Sequence, residues 1–82
     1  MEYVKLVDSE FLTIPSGGYI YDTKGRLCKM KIQQGDIEFR MEKDEDRQGA
    51  IYRAGEMVSF IGRVKFFTEP EAFCYCLLFE PV

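Results

Sequence analysis

The sequence predicts an all-β fold, in which a single antiparallel sheet of about five to seven strands curls into a small barrel. Three observations predict it. Apolar and charged residues alternate along several segments, turn-forming residues recur at intervals of about eight to twelve residues, and a glycine interrupts the longest apolar pattern. Because 82 residues suffice for one thin core only, we assign residues 1–82 to a single small β domain.

The clearest strands are "LCKMKI" and "DIEFRME", whose period of two places apolar side chains on one face and charges on the other. The short turn "QQGD" between them predicts an antiparallel hairpin. Asp22 and Gly25 have the spacing of a type I turn, which predicts a second hairpin. Upstream, we expect short strands at residues 3–7 and 11–14, followed by a break at Pro15, Gly17 and Gly18.

The segment "MVSFIGRVKFF" predicts a long strand in which Gly62 occupies an inward position. A glycine at such a position is typical of a bulge or a sharp bend, so we expect the sheet to curl there. The predicted core contains the inward residues of the two best-patterned strands: Ile37, Phe39, Val58, Phe60 and Val64.

The chain closes on the apolar run "AFCYCLLFEPV". Thr68 and Glu71 have the spacing of a capping box before a helix, whereas the aromatic content favours a strand. We predict a strand, with a C-terminal helix over residues 69–80 as the alternative. Neither face of this strand is polar, so it is either covered on both sides or in contact with a partner.

In the partner interpretation, Tyr75, Leu77 and Phe79 point inward and complete the core. An outward apolar patch then forms between the last strand and its neighbour. Its predicted partner-binding residues are Ile61, Phe67, Cys74, Cys76 and Leu78.

Composition excludes several classes of function. There are 14 acidic and 11 basic residues, so the net charge of −3 disfavours a protein that gains its affinity from contacts with phosphates.

The start of the sequence has no signal-peptide pattern and the three cysteines are too few for a disulfide framework, so we predict a cytoplasmic protein. The absence of histidine removes the commonest general base, and the cysteines lie in apolar patterns that suppress thiol reactivity. We therefore expect no enzyme activity and no cofactor.

No metal site is predicted. Three cysteines fall short of the four ligands of structural zinc. The segment "DEDRQGAI" matches part of a calcium-binding loop, but Gly55 stands where a bidentate glutamate is needed. We expect an exposed acidic loop at residues 42–46 that binds no ion tightly.

The sequence is most consistent with a non-catalytic protein-binding module, an inhibitor or adaptor, whose partner is another protein or a second copy of itself. SH3-like and OB-like barrels share the strand rhythm seen here, and small barrels of this kind bind single-stranded nucleic acid through basic and aromatic side chains on a sheet face. The alternative is therefore nucleic-acid binding through Tyr19, Tyr21, Lys29 and Lys31.

Overall fold

The computed structural model describes residues 2–41 and 49–81, and within these ranges the chain is entirely β-structure and turns. The strands are β1 (Tyr3–Ile14), β2 (Gly17–Gln34), β3 (Asp36–Met41), β4 (Ala50–Arg53), β5 (Met57–Thr68) and β6 (Ala72–Pro81). They form one antiparallel sheet in the order β1-β6-β2-β5-β3-β4. The predicted all-β class is confirmed. The alternative C-terminal helix is not formed, because the closing run is strand β6.

The 18-residue strand β2 organises the sheet. It pairs with β5 from Gly17 onwards and with β6 from Leu27 onwards, so its second half lies between two neighbours. The pairing with β5 shifts register between Asp22 and Leu27, opposite Gly62. Gly62 has a φ of 105°, and its N–H donates a 2.8 Å hydrogen bond to Thr23 Oγ1. The predicted irregularity at Gly62 is confirmed.

Both predicted hairpins are wrong. At Asp22 to Gly25 the chain does not reverse, because β2 continues through a bulge in which Lys24 and Gly25 have positive φ values of 56° and 82°. At "QQGD" the chain does turn at Gly35, but β5 lies between β2 and β3, so the two strands are not paired. The predicted break is correct at Pro15, but Gly17 and Gly18, which were assigned to it, begin β2. The two short strands predicted before the break are the single strand β1.

The core occupies the inner side of the curled sheet. Outside the bulge of β2, every second residue of β2, β5 and β6 faces this side, as the alternation predicts. The buried apolar residues are Ile14, Cys28, Met30, Ile32, Ile37, Val64, Phe66, Ala72, Cys74, Cys76 and Leu78.

The five predicted core residues are all on the inner side. Ile37 and Val64 are fully buried, while Phe39, Val58 and Phe60 are half-buried and pack against the core. In the described part of the chain, no helix is present that is long and apolar enough to cross a membrane.

Candidate functional site

The outward side of four neighbouring strands carries three rows of side chains that run across the sheet. Each row takes one residue from β1, β6, β2 and β5, in that order. The rows are Leu6, Phe79, Leu27 and Ile61; Ser9, Leu77, Lys29 and Ser59; and Phe11, Tyr75, Lys31 and Met57. We call these twelve residues the outer apolar face, because eight of them are apolar or aromatic.

Much of this face is open to solvent. Phe11 is 80% exposed, and its ring centroid lies 4.7 Å from that of Tyr75. Leu6, Met57 and Ile61 are exposed as well, while the apolar residues of β6 are half-buried between them. A surface strand normally places polar side chains towards water, so this density of apolar groups is unusual for an outer sheet face.

The charges on the outer apolar face have one sign. Lys29 and Lys31 are exposed, and the Lys29 ammonium lies 5.1 Å from the centroid of the Phe79 ring. None of the twelve residues is acidic. Glu80, which follows Phe79 in β6, lies on the inner side, and its carboxylate is 3.8 Å from the Arg26 guanidinium. The face is therefore apolar with a positive centre.

The structure overturns the predicted orientation of β6. Cys74, Cys76 and Leu78 are buried in the core, and Tyr75, Leu77 and Phe79 lie on the outward side. Ile61 and Phe67 are on the outward side of β5 as expected, but β2 separates β5 from β6. Of the five predicted partner-binding residues, only Ile61 lies in the outer apolar face.

Side-chain size accounts for this orientation. The inner side of β6 shares one close-packed core with bulky groups such as Phe66 and Met30, the latter directly beside Cys76 on β2, so alanine and cysteine fit where an aromatic ring would overfill the core. The alternating small residues Ala72, Cys74 and Cys76 were the sequence signal for this side. No comparable pattern in the sequence indicates that Phe11 and Leu6 are exposed, because the side of the sheet on which they lie depends on which strand pairs with β1.

The predicted nucleic-acid residues do not form one surface. Tyr19 and Tyr21 are on the inner side, where Tyr21 packs against Phe66 at 6.1 Å between ring centroids. Lys29 and Lys31 are on the outer side. The aromatic neighbours of the two lysines are instead residues of β1 and β6.

A small polar cluster lies on the inner side, where Tyr21 Oη donates a 2.8 Å hydrogen bond to Glu10 Oε1. Burial, and then this hydrogen bond, raises the pKa of the Tyr21 hydroxyl. A hydrogen bond to Cys76, together with burial, raises the pKa of the Cys28 thiol. Burial raises the pKa of Cys74 to about 12. These groups are protonated at neutral pH and act as packing groups.

We predict that the three thiols do not react with an aromatic disulfide reagent at pH 8 in the folded protein and that all three react after unfolding. Since the pKa of Cys74 is raised from 9.0 to about 12, folding favours the protonated thiol. Its contribution to stability is complete below pH 9 and is lost as the pH rises towards 12. A spectrophotometric titration checks reactivity, and melting temperatures between pH 7 and 11 check stability. Rapid reaction of one thiol in the folded protein would contradict the assignment.

A cleft of about 430 Å³ opens at the other end of the sheet. Its lining residues are Gly17, Asp36, Glu38, Ile51, Arg53, Phe67, Thr68 and Glu69. Glu38 accepts hydrogen bonds from Arg40 Nε at 2.7 Å and from the Gly49 N–H at 2.8 Å, and these lower its pKa. The buried Thr68 Oγ1 has no hydrogen-bond partner in the described chain. Because the lining mixes both signs of charge, it specifies no one class of ligand.

Within residues 2–41 and 49–81, no group of three or more cysteine or acidic side chains is placed to hold a metal ion. The predicted acidic loop at residues 42–46 lies outside the described residues. Its exposure and its weak affinity for calcium therefore stay predictions.

Comparison with known proteins gives the fold and no function. No family model and no curated protein matches the chain. A protein of unknown function from Vibrio parahaemolyticus, VPA0057, superposes with a TM-score of 0.71 at 14% identity over 84% of this chain and 72% of that one. A protein of unknown function (DUF1255) from Acinetobacter sp. ADP1 gives a TM-score of 0.72 at 18% identity, covering 85% and 68% of the two chains.

A third solved structure with this fold is the CENP-C cumin domain of Drosophila melanogaster. Its TM-score is 0.58 at 15% identity, with 85% of this chain and 56% of that chain covered. This chain therefore spans little more than half of the length of that structure. At such identities the three similarities establish that the chain has the β fold of these domains, and they assign it no activity.

Proposed function

We propose that this chain is a non-catalytic module, an inhibitor or adaptor, that binds another protein through the outer apolar face. The observation that carries the proposal is the exposed ring of Phe11 in contact with that of Tyr75, within a face where eight of twelve side chains are apolar or aromatic. Aromatic residues on a well-ordered sheet are effective contact residues because they bury a large area at little cost in conformational entropy.

The charges indicate the chemistry of the partner. Lys29 and Lys31 lie among apolar groups without an acidic neighbour in the face. Two copies packed face to face would bring four lysines together with no carboxylate to compensate, which disfavours self-association through this surface. A complementary partner presents apolar side chains with carboxylates opposite Lys29 and Lys31. The net charge of −3 on this chain makes those lysines a local feature of the face.

Support for a non-catalytic role comes from the side chains available. The sequence contains no histidine, and the three thiols are buried in the core. Nucleophilic catalysis requires a thiolate that a substrate can reach, and burial keeps all three thiols from solvent. The half-buried residues of the inner side are used for packing, since they form a continuous set of ring contacts with Phe66.

We predict that Ile61→Glu strongly weakens partner binding while Ile20→Glu leaves it unchanged. Both isoleucines are exposed on the outer side, at 43% and 50%, but only Ile61 belongs to the outer apolar face. A buried carboxylate at the contact should weaken affinity by about 100-fold, equivalent to roughly 3 kcal/mol. The measurement is quantitative affinity capture from extract of the native host, with nuclease present and with the circular dichroism of both variants as a folding control.

A protein that is retained equally by the unmodified chain and by both variants would contradict the proposal, as would retention of no protein. If nuclease treatment removes the captured material, the alternative function of single-stranded nucleic-acid binding is favoured instead. One observation supports that alternative: Lys29 and Lys31 lie beside the rings of Phe79 and Tyr75. Two lysines neutralise few phosphates, so its affinity should be low and should fall steeply with salt.

A further inference from the structure

We propose that two copies of this chain pair antiparallel along β1, so that one continuous sheet runs through both. This proposal goes beyond the proposed function, because it uses the edge of the sheet, while the residues of β6, β2 and β5 in the outer apolar face stay free for another protein.

The first support is the free edge of β1. In the described part of the chain, β1 is the terminal strand of the sheet and pairs with β6 alone. It is 12 residues long, whereas the opposite terminal strand β4 has four residues. Along a free edge, alternate N–H and C=O groups point away from the sheet and accept a further strand. The long edge is therefore the one able to form an extended ladder.

The second support is the apolar character of this edge. Four of the eight exposed large apolar residues of the described chain are in β1, namely Val4, Leu6, Val7 and Phe11. Edge strands of monomers normally avoid such residues, because the combination of apolar side chains and unpaired backbone groups promotes association. A second copy of β1 places its own apolar side chains beside these at the edge.

The third support is charge complementarity within β1 itself. When Leu6 of one copy lies opposite Ser9 of the other, antiparallel pairing places Lys5 opposite Glu10. Within each pair the two side chains lie on the same side of the sheet: Leu6 and Ser9 pair with outward residues of β6, and Lys5 and Glu10 pair with Glu80 and Cys76 on the inner side. Two-fold symmetry forms the lysine–glutamate pair twice. The register shift between Leu6 and Asp8 lies near the two-fold axis that relates the two copies. Because both copies have the same shift, the symmetry is kept.

Disulfide cross-linking tests this register. The double variant Leu6→Cys, Ser9→Cys should give a covalent dimer on mild oxidation, because opposite residues of an antiparallel pair are close enough for a disulfide. The matched control is Leu6→Cys, Thr13→Cys, which places the second thiol on the same side of β1 but out of register. It should stay monomeric on a denaturing gel. Equal cross-linking of both double variants, or none in either, would overturn the proposal.

Sedimentation equilibrium of the unmodified chain should show a dimer. Lys5→Glu should weaken the association by about tenfold or more, because it replaces two attractive pairs with two repulsive ones. Lys31→Glu makes the same charge change away from the edge and should leave the dimer intact, while it weakens capture of a foreign partner. If the unmodified chain is strictly monomeric, β1 pairing is refuted. The proposed function is not affected by that result, because it is tested separately by comparing Ile61→Glu with the unmodified chain in the capture assay.

Discussion

Phe66→Ala is expected to destabilise the protein by about 3 to 5 kcal/mol, which is comparable to the whole stability of a domain of this size. Phe66 is fully buried, and its ring contacts those of Tyr21, Phe39 and Phe60, with the shortest centroid distance of 4.6 Å to Phe39. Removing the ring leaves a cavity at the centre of this group. Because the neighbouring rings belong to different strands of the sheet, they cannot collapse together to fill it.

The matched control is Phe11→Ala, which removes the same ring from a site that is 80% exposed. Its effect should be about 0.5 kcal/mol or less. Phe60→Ala should lie between the two, because Phe60 is half-buried. Chemical unfolding followed by circular dichroism gives all three free energies. A Phe66→Ala protein as stable as Phe11→Ala would show that the aromatic group is not the centre of the core.

Gly35→Ala is expected to cost about 3 kcal/mol or more, from the sum of backbone strain and steric overlap. Gly35 has a φ of 92°, which is unfavourable for a residue with a side chain. A Cβ at this position would lie 2.8 Å from the carbonyl oxygen of Glu71 and 3.1 Å from Ala72. The contacts are with backbone at the start of β6, so the overlap cannot be relieved by a rotamer change.

Gly55→Ala separates the two contributions. Gly55 has nearly the same φ, 93°, but nothing lies within 4 Å of the added Cβ. Its cost should therefore be the backbone strain alone, about 1 to 2 kcal/mol. Thermal unfolding of the two variants measures the difference. Equal destabilisation by both changes would mean that the turn at Gly35 does not pack against the start of β6.

Sequence patterning predicted the strands of the central sheet and the inward residues along them. In β2 and β5 the inward residues are those expected from a period of two, because each of these strands has charges on one side and apolar groups on the other. The irregularity at Gly62 was also predicted, since a glycine in an inward position is typical of a bulge or bend in a strand.

Strand pairing could not be predicted in the same way. The sequence signals for turns at Gly25 and Gly35 were real, yet one is a bulge within β2 and the other leads to a strand beyond β5. A positive φ is compatible with a hairpin, a bulge or a longer turn, so the local signal does not choose among them. The choice depends on which distant strand supplies the hydrogen bonds.

The candidate site likewise combines features that the local sequence determines with features that depend on the tertiary structure. Local alternation alone establishes that β6 has two apolar sides and that Lys29 and Lys31 lie opposite Cys28 and Met30 on their strand. Which side of β6 is buried follows from the neighbours that β1 and β2 provide and from the volume enclosed by the curl of the sheet. Cys74 and Cys76 are buried while the rings of Tyr75 and Phe79 lie on the outer side, because close packing of the core depends on long-range contacts and on side-chain size together.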